Sequence, residues 1–140
     1  MTGVQTCALP ICAFVAWGLT GPQGNGIHAQ HISGDATVAS GWPDGGKRVF
    51  GPLEGYQDFP VVAADGVGGL FVAASLYSAG AADPKVYLQH MSARGDFDAG
   101  WSAEGYEVDT TLLPQYYPAL VTTEPGSAIL AWDRDRKSVV

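Results

Sequence analysis

The chain repeats itself, and this repetition restricts the folds that it can adopt. The segment FPVVAADGVGGLFVAA (59–74) aligns without a gap on YPALVTTEPGSAILAW (117–132), at an offset of 117 − 59 = 58 in the numbering. Each copy contains an apolar run, a turn-forming stretch and a second apolar run. Self-similarity at a fixed spacing of this size is typical of folds built from tandem structural units. The matched positions include Pro60 with Pro118 and Gly68 with Gly126.

Two more segments recur in the same order, at an offset of 86 − 27 = 59. IHAQHI (27–32) aligns on VYLQHM (86–91), and GWPDGGKRV (41–49) aligns on GWSAEGYEV (100–108). A shorter segment, AFVAW (13–17), recurs as LFVAA (70–74), at an offset of 70 − 13 = 57. Four segments in one order indicate tandem copies of a single unit. The further matched positions are Gln30 with Gln89, His31 with His90 and Trp42 with Trp101.

Within one period, every local signal indicates a β-strand or a turn. PVVAA begins with Pro60, which suits the first position of a strand, and DGVGG supplies residues that tolerate positive φ in a tight hairpin. LFVAASLY is apolar on both faces, KVYLQHM alternates, and YEV is a short closing strand. No segment shows a convincing 3.6-residue apolar period of an amphipathic helix. The sequence therefore predicts about four antiparallel strands in each repeat.

A single four-stranded sheet of this length cannot bury both of its faces. Stacked copies solve this problem, and the radial solution is the β-propeller. We therefore expect an all-β fold in which residues 13–134 form tandem antiparallel meander repeats, as two blades of an incomplete β-propeller within a larger domain. Two blades leave open strand edges and an apolar flank, so we expect the isolated chain to aggregate or to be only marginally stable.

The repeated residues resemble a bacterial family of large secreted or surface proteins. In that family a DG-x-GG turn, a Val-Ala-Trp strand, a Tyr-x-Gln-His strand and a Gly-Trp-x-x-x-Gly stretch recur many times in propeller-like domains. The resemblance covers Ala13 to Arg134 and implies a secreted or cell-surface protein. The chain departs from the family pattern at Ala74-Ser75, where the family has Trp-x-Asp, and at the turn spanning 124–127. These departures weaken any chemical role for the Trp or the Asp.

The two ends of the chain differ in character from the repeats. TGVQTCALPI and DRKSVV resemble translated sequencing-adapter sequence, in the orientation expected of two partner adapters. We therefore expect residues 1–12 and 135–140 to be adapter-derived and to make few tertiary contacts. The alternative is an unusual natural N-terminus, such as a degenerate signal peptide. Cys7 lies inside the first segment and Cys12 on its junction, so we expect no disulfide framework and no CxxC metal or redox site.

The charge balance excludes one class of partner. The chain has 14 acidic and 7 basic residues, and 14 − 1 = 13 acidic and 7 − 2 = 5 basic residues remain without the end segments, a net charge of −8. Nucleic acids and anionic membranes bind to clusters of Lys and Arg, which this chain lacks. No apolar run approaches the length of a transmembrane helix. Carbohydrate or protein surfaces remain as candidate partners.

The two repeat-matched histidines invite a metal-binding interpretation. His31 and His90 each lie on the apolar side of a predicted strand, so a hydrogen-bonded role in the core is the expected one. His28 lies on the same strand as His31 at an odd spacing, which places the two side chains on opposite faces of a regular strand. We therefore expect no shared metal site.

The tryptophans, aspartates and serines could also have chemical roles. Trp42 and Trp101 could stack on sugars, but as repeat-matched residues they are expected to seal the interface between blades. Four aspartates could offer oxygen ligands to calcium, but their spacing is not that of an EF-hand loop. No G-x-S-x-G elbow accompanies the Ser, His and acidic residues. We expect no catalytic, cofactor or metal site. The four aspartates are Asp35, Asp44, Asp96 and Asp98.

Two classes of function remain. The expected one is a non-catalytic binding or structural scaffold within an exported bacterial repeat protein. The alternative is a slice of a propeller-fold glycosidase or other hydrolase whose active site lies mostly outside this chain. An acid pair that breaks the repeat would favour the hydrolase, whereas further copies and a signal peptide in the parent would favour the scaffold.

Overall fold

The computed structural model describes residues 2–7, 12–20, 25–51, 55–81, 83–111 and 113–134. Within these ranges the chain forms ten β-strands and no helix. In chain order the strands are β1 (Thr2–Cys7), β2 (Cys12–Leu19), β3 (Gly26–Ile32), β4 (Lys47–Arg48), β5 (Gly55–Ala64), β6 (Leu70–Ser78), β7 (Lys85–Met91), β8 (Tyr106–Glu107), β9 (Gln115–Glu124) and β10 (Ser127–Arg134).

The strands form three antiparallel sheets in which sequence neighbours pair. The first sheet has the order β1-β2-β3-β4, the second has the order β5-β6-β7-β8, and the third contains β9 and β10. The all-β class and the antiparallel meander of about four strands are therefore confirmed. The predicted turn chemistry is present as well, because Gly66 and Gly68 of the β5–β6 hairpin and Gly126 of the β9–β10 hairpin all have positive φ.

The first two sheets have the same register. Phe14 of β2 pairs with His31 of β3, and Phe71 of β6 pairs with His90 of β7. After each of these third strands, the chain turns back on itself through equivalent backbone bonds. The amide of Ala39 donates to His31 O at 2.9 Å. In the second sheet the same bond runs from Asp98 N to His90 O at 3.1 Å.

The core lies between the sheets. Strand β5 contacts β1, β2 and β3, and strand β9 contacts β5, β6 and β7. The first strand of a sheet therefore packs across the first three strands of the sheet before it. Strand β6, in the middle sheet, is buried on both faces from Leu70 to Leu76, as its two-sided apolar pattern predicts. The largest apolar side chains that are fully buried include Phe14, Ile27, Phe50, Leu70 and Leu76.

The prediction that Pro60 begins a strand is wrong, because β5 begins at Gly55. Within β5 the pairing with β6 shifts register between Asp58 and Val61. This irregularity removes Pro60 from the hydrogen-bond ladder, which suits a residue without a backbone N–H. The residue before the proline, Phe59, has a φ of 54°.

Pro118 lies in the equivalent place in β9. The pairing of β9 with β10 shifts register opposite this segment, between Ala131 and Asp133. Tyr117, the residue before the proline, has a φ of 50°. Both repeats therefore place an aromatic residue with left-handed backbone before a proline inside a strand.

The N-terminal segment does not behave as expected. Strand β1 pairs with β2 along its whole length, from Thr2 with Trp17 to Cys7 with Cys12, and it also contacts β5. Few tertiary contacts were expected for residues 1–12, yet β1 fills the place that β5 fills in the second sheet. Cys12 is disulfide-bonded, so the expectation that the cysteines form no disulfide is wrong. Residues 135–140 lie outside the described residues.

The third repeat is less enclosed than the second. Phe71 aligns with Ile129 in the repeat of residues 59–74 on residues 117–132, but Phe71 is 5% exposed and Ile129 is 58% exposed. In the second sheet, β7 and the loop after it cover Phe71 with His90 and Trp101. In the described part of the chain, no strand pairs with the outer edge of β10, so Ile129 lacks that cover.

Candidate functional site

Two glutamines join consecutive sheets. The Oε1 atom of Gln57 accepts a 2.8 Å hydrogen bond from the backbone amide of Ile27, at the start of β3. The Oε1 atom of Gln115 accepts an equivalent bond of 2.9 Å from Val86, at the start of β7. Gln57 is 3% exposed and Gln115 is fully buried. The sequence interpretation missed both residues, although they match at the same offset as Pro60 and Pro118.

Gln30 and Gln89 stabilise their own sheets. The Nε2 atom of Gln30 donates to Pro43 O at 2.7 Å, and that of Gln89 donates to Ser102 O at 2.8 Å. Each Oε1 accepts a hydrogen bond from the amide of the following histidine. Both glutamines therefore tie a third strand to the loop that follows it.

The repeat-matched histidines lie in matching aromatic clusters. In the first sheet the ring centroids of Phe14 and His31 are 4.3 Å apart, and those of His31 and Trp42 are 6.3 Å apart. In the second sheet the rings of Phe71 and His90 are stacked at 4.1 Å, and Trp101 lies 5.9 Å from His90. His28 instead stacks beside Trp17, at 6.1 Å.

Trp42 contacts the next repeat. Its Nε1 atom donates a 2.8 Å hydrogen bond to Ala93 O, in the loop after β7, and its side chain is buried. The ammonium of Lys47 lies 5.9 Å from the Trp42 ring and donates to Arg94 O at 2.8 Å. Trp101 is only half-buried.

His90 is held between two carboxylates. Its Nε2 lies 2.9 Å from Asp65 Oδ2, and its Nδ1 lies 2.9 Å from Asp98 Oδ2. The contact with Asp65 has the geometry of a hydrogen bond, and the contact with Asp98 is a close approach of a ring nitrogen to a carboxylate oxygen. Asp98 corresponds to Ala39 in the first repeat, and this arrangement therefore differs between the copies.

Asp65 also organises its own hairpin. Its Oδ1 accepts hydrogen bonds from the amides of Val67 and Gly69, both at 2.8 Å. A Cβ atom at position 69 would lie 2.5 Å from Asp65 Oδ2, so the close approach requires glycine. The backbone carbonyl of Asp65 accepts a 2.7 Å bond from Gly126 of the third sheet. Asp65 therefore links the turn, the core histidine and the next repeat.

An aromatic surface spans the second and third sheets. We call Tyr56, Tyr77, Tyr116 and Tyr117 the tyrosine cluster. The ring centroids of Tyr56 and Tyr77 are 5.9 Å apart, and those of Tyr116 and Tyr117 are 6.0 Å apart. Burial raises the pKa of Tyr77 above its usual value, and Tyr116, Asp58, Tyr117 and Tyr56 all contribute to the rise. The side chain of Tyr77 therefore lies within electrostatic reach of the other three phenols.

Polar groups border the tyrosine cluster. The Tyr56 hydroxyl donates to Asp58 Oδ2 at 3.2 Å, and this nearby carboxylate raises the pKa of Tyr56. Asp133 pairs in register with Tyr116, and both line a surface cavity with Tyr117 and Arg134. The sequence interpretation did not single out any of these residues.

Arg134 is anchored from below this cavity. Its guanidinium donates to the carboxylate of Asp109 and to the hydroxyl of Thr111. The backbone amide of Thr111 lowers the pKa of Asp109, and Arg134 contributes to the same shift. The anchored guanidinium therefore holds one side of the cavity in place.

The four aspartates considered as calcium ligands lie in different settings. Asp35 binds Thr37, Asp96 pairs with Lys47, and Asp98 contacts His90. Asp44 is exposed in the loop between β3 and β4. Among the described residues, no group of three or more His, Cys, Asp or Glu side chains is placed to hold a metal ion. The described segments also contain no helix of the length and apolarity needed to cross a membrane. The chain matches no known family model, no curated protein and no solved structure.

Proposed function

We propose that the chain is part of an exported bacterial repeat protein that acts as a non-catalytic binding or structural scaffold. In this proposal the two four-stranded sheets are blades of an incomplete β-propeller, and β9 and β10 belong to the next blade. Export and a cell-surface location rest on the family resemblance of the repeats. The net charge of −7 supports a carbohydrate or protein partner rather than nucleic acid.

The observation that carries the proposal is the repeated bond between sheets. The side-chain oxygens of Gln57 and Gln115 each accept a hydrogen bond from a backbone amide at the start of the third strand of the preceding sheet. Because the bond is equivalent at both junctions, the second and third sheets are each held against the preceding sheet in the same way. A stack that propagates through equivalent contacts supports a scaffold built from many repeats.

The chemistry of the second repeat supports a structural role for its histidine. Both nitrogens of His90 contact carboxylates, and the ring is stacked on Phe71. A general base needs a nitrogen within reach of a substrate proton. The geometry around His90 therefore supports packing and loop attachment rather than proton transfer.

The test is a screen of the 140-residue chain for turnover on a panel of glycosidase substrates. The aspartates that border the tyrosine cluster or contact His90 are replaced by Asn in matched variants. We expect no turnover above that of a denatured control. Turnover that disappears when one of these residues is replaced would overturn the proposal in favour of the hydrolase. The positions for replacement are Asp58, Asp65, Asp98 and Asp133.

A further inference from the structure

We propose that the tyrosine cluster is the binding site of this scaffold for a neutral oligosaccharide. The inference rests on the proposed function and deepens it, because it assigns a ligand class and a place to the binding role. It is carried by three observations, namely sequence differences between the repeats, the closely spaced aromatic rings and the bordering carboxylates, and the backbone at Tyr117 sets the direction of one ring.

The tyrosines stand where the repeats differ. Tyr56 aligns with Pro114, and Tyr116 aligns with Asp58, although the nearby Gln57 and Pro60 match Gln115 and Pro118. Positions that every sheet needs for packing recur, as Gln57 and Gln115 do. Packing of the repeated sheets therefore does not explain why Tyr56 and Tyr116 are tyrosines.

The rings are accessible, and neighbours fix their orientation. Tyr56 is 45% exposed and Tyr117 is 59% exposed. Phe59 contacts Tyr117 edge-on, with ring centroids 4.9 Å apart. Exposed aromatic rings held in this way present flat faces, which pack well against the C–H faces of a pyranose ring. Two accessible rings, one from each sheet, suit an extended chain of sugars better than a single sugar.

The backbone beneath the rings is strained. Phe59 and Tyr117 have φ values of 54° and 50°, in a region that bulky side chains rarely adopt. Both residues precede a proline beside a register shift, so the irregular strands at Pro60 and Pro118 hold this backbone in place. Here the left-handed backbone sets the direction in which the Tyr117 ring projects.

The polar groups at the site favour a ligand with many hydroxyl donors. Asp58 and Asp133 offer carboxylate oxygens, and the Tyr56 hydroxyl already donates to Asp58. Sugar hydroxyls can donate to these oxygens, whereas the carbonyl groups of a proline-rich peptide need donors. An acidic glycan would be repelled by the two carboxylates and by the net charge of −7, because the guanidinium of Arg134 at the same cavity is already paired with Asp109. The site therefore fits a neutral glycan.

The experiment measures binding of the 140-residue chain to soluble neutral polysaccharides by affinity electrophoresis, followed by calorimetry with the oligosaccharide of the retained polymer. The probes are a β-glucan, a xylan and a galactomannan, with polygalacturonate and a proline-rich peptide for comparison. We expect retention by at least one neutral polymer. Tyr56→Ala and Tyr116→Ala should each weaken binding by about tenfold, whereas Tyr56→Phe should retain it to within about threefold because the ring remains.

Two variants outside the cluster serve as controls. Tyr106 is 65% exposed on β8, and it lines a different surface cavity with Trp101. Tyr106→Ala and Trp101→Ala should leave the affinity unchanged, and circular dichroism checks that each variant is folded. Tyr56→Phe keeps the test valid even where an alanine variant unfolds.

Several results would overturn the inference. These are retention of no neutral polymer, binding of polygalacturonate or the peptide alone, and affinity that depends on Trp101 rather than on Tyr56 and Tyr116. None of these results contradicts the proposed scaffold function as long as the turnover screen is negative. Turnover would overturn the scaffold itself, so the two failures are distinguishable.

Discussion

The side-chain oxygen of Gln57 lies 2.8 Å from the backbone nitrogen of Ile27, and this bond joins two sheets that share no strand ladder. Gln115 forms the same bond to Val86 one repeat later. Within a sheet, backbone groups bond to one another. Between sheets, a buried glutamine side chain reaches the amide at the start of a strand in both cases, so the same residue type makes this contact twice.

The first prediction concerns the stability that this bond provides. Gln57→Ala leaves the buried amide of Ile27 without an acceptor, and such a loss costs about 1–3 kcal/mol. Gln115→Ala should cost a similar amount, because Val86 is equally buried. Urea denaturation followed by circular dichroism measures both. If both variants lose less than about 0.5 kcal/mol of unfolding free energy, which is the lower end for an ordinary hydrogen bond, these bonds do not hold the sheets together.

The second prediction uses a difference between the first two repeats. Ala36 has a φ of 64°, and the equivalent residue in the second repeat is Gly95, with a φ of 75°. The left-handed conformation costs about 1–2 kcal/mol for a residue with a Cβ. Ala36→Gly should therefore raise the free energy of unfolding by about 1 kcal/mol, since glycine relieves this cost but makes the unfolded chain more flexible.

Gly95→Ala is the matched reverse substitution. Its Cβ would lie 2.9 Å from the ring of Trp42, so it should destabilise the protein by more than Ala36→Gly stabilises it. Thermal denaturation of both variants checks the pair. Equal and small effects of either sign would contradict the assignment of these positions as equivalent turns.

The third prediction concerns pH. Burial lowers the pKa of His28 below its usual 6.5, and the nearby Arg48 contributes. Because the unfolded chain binds this proton more readily, the contribution of His28 to stability is present above about pH 6.5 and is lost as the pH falls through and below that value. His28→Tyr copies Tyr87 of the second repeat, and it should flatten the stability profile between about pH 7.5 and about pH 5. An unchanged slope in the variant would contradict the prediction.

The fourth prediction concerns the exposed third sheet. Ile129 is 58% exposed beside the outer edge of β10, and an accessible apolar edge promotes association between chains. Ile129→Lys should reduce aggregation, measured by light scattering, with little change in the midpoint of unfolding. Phe71→Lys, at the aligned position in the second sheet, buries a charge and should unfold the protein. If Ile129→Lys aggregates as much as the unmodified chain, the surface that drives association does not include Ile129.

The sequence predicted an antiparallel meander of about four strands in each repeat, because alternation and turn glycines act locally and the repeat doubled each signal. Pro60 was placed at the start of a strand, since a bulge inside β5 depends on how β5 pairs with β6. The pairing of β1 with β2 could not be expected from composition. It is made by backbone hydrogen bonds along the edge of β2, and these bonds place little demand on the side chains of β1.

The candidate site was less predictable than the fold. Gln57 and Gln115 could have been found from the offset of the repeats, but a matched glutamine carries no local sign that it contacts another sheet. Tyr56 and Tyr116 belong to different repeats and differ from their aligned residues, so they are not among the matched positions that the repeats reveal. Tyr56 and Tyr116 lie near each other only because β9 packs against β5 and β6.

The central claim is that each sheet is fixed on the one before it through an equivalent glutamine. Hydrogen exchange of single amides, followed by NMR, tests it most directly. We expect slow exchange at the amides of Ile27 and Val86 in the unmodified chain. Gln57→Ala should accelerate exchange at Ile27 alone, and Gln115→Ala should accelerate exchange at Val86 alone. Fast exchange at both amides in the unmodified chain, or no change at either in these variants, would contradict it.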